Sequence, residues 1–102
     1  MTGPASAARD RIGETFGACK AQGRAALVGY LTAFDPGREA SLELLRAAVG
    51  AGVDVLELGV PFSDPTADGT VVQGAMMRAR SAGATLSGVL ELSAALRQDW
   101  DG

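Results

Sequence analysis

Residues 57–70 read ELGVPFSDPTADGT. Glu57 closes the mostly apolar run VDVL at 53–56, and the stretch behind it holds Pro61, Asp64, Pro65 and Asp68. Side chains alternate along a strand, so Val53, Val55 and Glu57 share one face of a strand over 53–59 while Leu56 and Leu58 share the other. A turn-rich stretch over 60–69 follows. Thr70 and Gln73 form a T-x-x-Q capping box, which predicts a helix from about residue 70. That helix runs through VVQGAMMRARSAG and stops near Gly83. A carboxylate therefore stands at the carboxyl end of a strand, with two more in the loop that leads to the next helix.

The flanks repeat the pattern. Residues 25–32, AALVGYLT, form a short apolar run that reads as a strand buried on both faces, as in a parallel sheet. Asp35 is placed to cap a helix whose first position is Pro36. Leu42, Leu45 and Val49 then recur at helical spacing, and Gly50 and Gly52 close that helix. Before the first strand, Ile12 and Phe16 stand four apart within 6–20, which suits a short amphipathic helix ending at Gly23. Thr85 is placed to cap a last helix with Leu86, Val89, Leu90 and Leu96 on one side. Met76 and Met77 read as helix packing. Strands separated by helices imply βαβ units, a parallel sheet and a right-handed crossover. Two strands leave both sheet edges open. The reading for 1–102 is the opening portion of a larger α/β domain, with a third strand expected after LRQDWDG.

Composition narrows the chemistry. The chain has 102 residues, 47% of them hydrophobic, 14 glycines, a formal net charge of −3 and no histidine. This is a globular composition, with no basic run to bind nucleic acid. No apolar stretch approaches the roughly 20 residues of a membrane span, and the start MTGPASAARDR lacks an apolar signal core. The single cysteine, Cys19, has no internal partner, which fits a reducing compartment and a cytoplasmic protein. It reads as a small buried apolar residue. Without histidine, acid–base work falls to carboxylates, Lys, Tyr or Cys. GAGVDVLELG has glycines, but they come after a helix and before a strand. A dinucleotide fingerprint needs the opposite order, which excludes it.

In open α/β sheets and in α/β barrels, ligands sit at the carboxyl ends of the strands. Glu57, Asp64 and Asp68 are all at that end. Each has two readings. Glu57 is either a group pointing into a barrel interior with Val53 and Val55, or a strand-end partner in a surface salt bridge. Asp64 either serves a site or braces the turn opened by SDP. Asp68, before Gly69, either serves a site or shapes the turn. Asp54 alternates onto the opposite face at the other end of the strand and reads as structural.

LELGVPFSDPTADG, with GYLTAFDPG before it and VVQGA after, closely resembles the tryptophan synthase alpha chain family. The resemblance covers about residues 12–98. It implies part of a (β/α)8 TIM barrel of roughly 250 residues, namely the N-terminal helix plus two βα units. It implies the retro-aldol cleavage of indole-3-glycerol phosphate to indole and glyceraldehyde 3-phosphate, with no metal and no cofactor of its own. Glu57 falls on the family's catalytic acid–base glutamate and Asp68 on the aspartate that meets the indole N–H. A carboxyl in an apolar pocket can give and take protons near neutrality, while an ionised neighbour holds the N–H. Tyr30 falls on an aromatic position beside the indole, where core packing is the competing reading. The loop with Pro61 and Asp64 resembles the one that faces the beta subunit in an α2β2-type heterotetramer, and pyridoxal phosphate belongs to that partner. Three departures stand out. Phe34 occupies a position where the family more often has Gly, and Thr70 replaces a usual Pro. The loops after strands seven and eight, which grip phosphate in such barrels, have no counterpart here. The chain alone is therefore expected to be inactive, and a non-catalytic module that docks on a beta subunit is the alternative.

Overall fold

The computed structural model describes residues 8–61 and 69–102. Its elements run α1 (Arg11–Ala21), β1 (Val28–Thr32), α2 (Arg38–Gly50), β2 (Val55–Gly59), α3 (Thr70–Ser81) and α4 (Leu86–Arg97). β1 and β2 pair in parallel, with Val28 opposite Val55, Tyr30 opposite Glu57 and Thr32 opposite Gly59. The result is one helix followed by two βα units, the second extended by a further helix, as the alternation of strand and helix patterns predicts.

Three of the helices stop by one device. Gly23, Gly52 and Gly83 each take positive φ, at 72°, 117° and 91°. In each case the residue after the glycine donates its N–H back into the last turn: Arg24 to Cys19, Val53 to Ala48 and Ala84 to Ala79. These are Schellman closures, which satisfy carbonyls that a helix end would leave bare. The helix starts differ from expectation at two places. α2 begins at Arg38 with Gly37 as its cap, and no side chain caps it. Asp35 instead pairs with Arg78 of α3 at 2.8 Å. α3 is capped by Gly69, also without a side-chain bond, so Thr70 is its first helical residue and not its cap. That first position is where proline is favoured, because no intrahelical donor is needed there. Thr85 does cap α4, accepting from the Gly88 N–H at 3.0 Å. α1 starts at Arg11, and its cap Asp10 accepts from the Gly13 N–H at 2.9 Å.

The core lies between the helices and one face of the sheet. Leu42 and Leu45 of α2, Ala79 of α3, and Val89, Leu92 and Leu96 of α4 are buried there with Ala33 and Phe34. Leu31, Leu56, Leu58 and Val49 pack against them. Leu86 and Leu90 stand out of this face, each 62% exposed, and Leu92 takes the place expected for them. Their angular step around the helix carries them past the buried stripe. Met76 is buried while Met77 is exposed. Ile12 and Phe16, the expected apolar face of α1, are also exposed, and Cys19 is the residue that α1 buries. β1 departs from the expectation of burial on both faces. Val28 and Tyr30 are exposed, because the helices cover only the face that carries Leu31, Leu56 and Leu58, and Leu27, just before the strand, is exposed as well.

Phe34 resolves one departure noted above. Its φ is 70°, a left-handed conformation that glycine adopts freely and a phenylalanine does not. Two contacts hold it there. Its N–H donates to Ser41 Oγ at 3.0 Å, and its ring, only 6% exposed, lies against Gly88. A Cβ at Gly88 would meet the Phe34 Cζ at 2.9 Å. Removing a buried Phe side chain costs about 3–5 kcal/mol, and relief of a left-handed residue returns about 1–2 kcal/mol. Phe34→Gly is therefore expected to lower the unfolding free energy by about 2 kcal/mol in urea denaturation. A gain in stability would show that strain outweighs packing at this site.

Candidate active site

The two strands present one open face. Val28, Tyr30, Val55 and Glu57 lie on it by strand alternation and by register. Glu57 is exposed, and Tyr30 is 43% exposed. Parallel partners stand about 4.8 Å apart in the sheet, so Glu57 and Tyr30 rise side by side from that face. Of the two readings of Glu57, a strand-end salt bridge has no support: none of the ion pairs recorded among the described residues includes it.

The carboxyl ends of the strands are tied to each other and to the helices. The Ala33 N–H donates to the Gly59 carbonyl at 2.9 Å, extending the sheet one step beyond β1. The turn after it is fixed by Phe34 on Ser41. It is fixed again by Asp35, which accepts from Arg78 Nε at 2.8 Å and from a second guanidinium nitrogen at 3.0 Å. This fork raises the Arg78 pKa, through its hydrogen bonds to Asp35 first and charge second. Pro61 follows β2 and is half-buried. Asp64 and Asp68 lie outside the described residues. Of the expected site residues, the structure therefore brings Tyr30 and Glu57 together on one face, with Pro61 in the exit from the same strand.

The amino ends carry a different kind of site. Asp54 accepts two bonds from the Arg24 guanidinium, at 2.8 and 2.9 Å, and one from the Leu27 N–H at 2.8 Å. The Arg24 bonds first, and the Leu27 amide second, hold its carboxyl well below the usual range. All three acceptor bonds tie the chain entering β1 to the start of β2, which is the structural role expected for Asp54. A cavity of about 170 Å³, lined in part by Arg11, Ile12, Asp54, Val55 and Trp100, also lies at this end. It stands at the first residues of β2, with Val55 and Leu56 in its lining, at the opposite end of the strand from Gly59.

Two pairings at the ends of the strands, among others, are not legible in the sequence. Asp35–Arg78 joins residues 43 apart, and Arg24–Asp54 joins residues 30 apart. Neither spacing carries a periodic signal, and Asp35 before proline imitates a helix cap. Among the described residues, no helix is long and apolar enough to cross a membrane.

The profile of the family "Tryptophan synthase alpha chain" matches residues 16–101. The chain is 54% identical over 88 residues to the tryptophan synthase alpha chain of Gluconobacter oxydans (strain 621H), covering 86% of this chain and 33% of that one. The crystal structure of tryptophan synthase subunit alpha from Legionella pneumophila superposes with a TM-score of 0.85 at 42% identity, over 89% of this chain and 35% of that one. A chain of tryptophan synthase from M. tuberculosis in an aminoacrylate-bound form gives 0.78 at 38% identity, over 82% and 34%. The chain thus spans about a third of the length of the relatives it matches. Its helix and two βα units are part of the TIM barrel of those structures.

Asp54 sets an acid limit on the fold. Its folded carboxyl titrates below the unfolded value of about 3.9. Its contribution is complete above that value and is lost as pH falls through it toward the folded one. Stability measured between about pH 5 and pH 2 is expected to fall more steeply for the parent than for Asp54→Asn, with the two converging at the acid end. Parallel curves would mean that the Arg24 fork contributes nothing.

Proposed function

Because the chain belongs to the tryptophan synthase alpha chain family, we propose that it carries the acid–base part of a barrel that cleaves indole-3-glycerol phosphate to indole and glyceraldehyde 3-phosphate in tryptophan biosynthesis. Supporting this reading most directly is Glu57, a carboxylate on the open face of β2 two residues before the strand's carboxyl end, with Tyr30 as its register partner. That is the strand end at which barrel enzymes do their chemistry.

The proposed reaction breaks a carbon–carbon bond next to the indole ring. The bond breaks once the ring has become an electron-accepting indolenine, which requires a proton at indole C3 and a stabilised positive charge at nitrogen. Glu57 delivers that proton and takes the proton of the glycerol hydroxyl whose carbon becomes the aldehyde. Asp68, ionised, holds the indole N–H. Tyr30 lies against the indole. In the complete barrel the remaining strands would line the same interior, excluding water from Glu57 and strengthening each polar contact. The phosphate grip belongs to parts of the barrel that this chain does not carry, so the chain alone is expected to release no indole.

The same reading assigns the loop with Pro61 and Asp64 to contact with a tryptophan synthase beta subunit, which holds pyridoxal phosphate and consumes the indole. No cofactor is assigned to this chain itself.

A chimera tests the assignment. Residues 16–101 replace the matching third of the Gluconobacter oxydans alpha chain. Indole release from indole-3-glycerol phosphate is expected, and Glu57→Gln is expected to lower it by about 10²–10⁴-fold, the range of a general acid–base group. Asp68→Asn is expected to lower it as well, with the fold intact by circular dichroism. A chimera that folds but releases no indole, or a Glu57→Gln variant with parental turnover, would overturn the reading.

A further inference from the structure

Gly59 is glycine for want of room. The positive-φ glycines among the described residues are Gly23, Gly52 and Gly83, so the Gly59 backbone is one that any residue adopts. It is the last residue of β2, it is buried, and its carbonyl accepts from Ala33. What bars a side chain is Tyr30. A Cβ on Gly59 would lie 2.6 Å from the Tyr30 Cζ and 3.0 Å from Cε2, and closer still to the phenol oxygen. Real Cβ atoms do not approach ring carbons that closely, because the repulsive wall lies near the optimal 3.5–4.0 Å separation.

The register shows what this vacancy does. Tyr30 stands opposite Glu57, and Gly59 lies two residues further along the same face of β2. The phenol therefore runs diagonally from its place beside Glu57 to rest over Gly59 at the strand end. Thr32, opposite Gly59 and 7% exposed, lies behind it with Oγ1 3.5 Å from the Tyr30 hydroxyl. At that length the hydroxyl contact is weak, so the steric seat is the stronger restraint.

We propose that Gly59 is a positioning residue for Tyr30: its missing side chain is the seat that lays the tyrosine along the carboxyl end of β2, where the ring forms the wall beside Glu57 on which the flat, aromatic part of the substrate rests. The substrate in this statement rests on the function proposed above, and the seat itself does not. Any side chain at 59 lifts the ring off the sheet and carries it toward the space that the substrate would use. Glu57, on the strand before it, keeps its backbone.

Tyr30 is the only tyrosine that this chain brings to the chimera, so the one 3-fluorotyrosine resonance that disappears in Tyr30→Leu reports its place. Gly59→Ala is expected to shift that resonance in the folded chimera without any ligand. Gly59→Ala is also expected to raise KM for indole-3-glycerol phosphate about tenfold, the size of one aromatic contact, with kcat little changed. In a Tyr30→Leu background the same change is expected to alter KM by less than about twofold, since its target is gone. If Gly59→Ala alone prevents folding, Tyr30→Leu/Gly59→Ala is expected to restore the folded circular dichroism spectrum. An unmoved resonance, an equal KM penalty in both backgrounds, or a double variant no better folded than the single one would each overturn the proposal. A parent chimera that releases no indole would instead sink the functional reading, leaving the resonance and the double variant to decide the seat.

Discussion

The parallel register between β1 and β2 is the constraint from which the rest follows. It sets Tyr30 against Glu57 and Thr32 against Gly59. Side chains alternate with a period of two, so a slip of one residue would move every side chain of a strand to the other face. Glu57 would then meet the helices, and Leu56 and Leu58 would meet solvent. The leucines are what forbid the slip, because they complete the cluster around Leu45 and Leu92. A functional carboxylate is thus held in place by the burial of its two neighbours. The hydrophobic core and the candidate site are specified by the same alternation.

The two ends of the sheet divide the labour. At the amino ends, Asp54 is firmly held: two guanidinium bonds and one backbone amide engage both of its oxygens. A carboxylate so held has little capacity left to exchange protons, and its contribution is to join the entry of β1 to β2. At the carboxyl ends, the bracing falls on residues beside the site. Asp35 takes the Arg78 fork, Ser41 takes the Phe34 N–H, and the Gly59 carbonyl takes Ala33. Glu57 is left on the open face. Exposed ion pairs contribute little to stability one by one. Their value here is geometric, since they fix loops that a two-stranded sheet would otherwise leave loosely tied.

Much of this was legible in the sequence, and what was not has identifiable causes. Element order, the parallel pairing, the faces of β2 and the glycine stops all followed from periodicity and from the backbone freedom of Gly23, Gly52 and Gly83. Capping was misread where two local rules give the same signature. Asp35 before proline resembles a cap, but a long-range guanidinium claimed its carboxylate. Thr70 three residues before Gln73 resembles a capping box, but Gly69 already fills the cap. The outer leucines of α4 and the apolar residues of α1 were assigned to a core face because composition shows which residues are apolar, not which neighbours exist to cover them. For the site, the sequence placed Glu57 and Tyr30 near strand ends, and the structure sets each at the middle of its five-residue strand. Their roles came from family resemblance, and so did that of Asp68, which lies outside the described residues.

Phe34 and Gly59 show why a one-dimensional reading misses such positions. Each inverts the usual meaning of its residue type. Phe34 stands where the backbone asks for glycine, and it is kept there because its ring fills the space over Gly88. Gly59 stands where the backbone would accept any residue, and it is bare because the Tyr30 ring needs the space. In both cases the deciding atom belongs to a residue distant in the chain, 54 positions on for Gly88 and 29 positions back for Tyr30. A glycine is informative only when its φ and its neighbours are read together. Positive φ with open space marks a turn, as at Gly23 and Gly52, whereas ordinary φ with an occupied Cβ position marks a contact. By that criterion Gly88 and Gly59 belong together. One makes room for a side chain that shapes the loop after β1, and the other makes room for the side chain that stands beside Glu57. The mouth of the two strands is therefore built as much by the side chains that are missing as by those that are present.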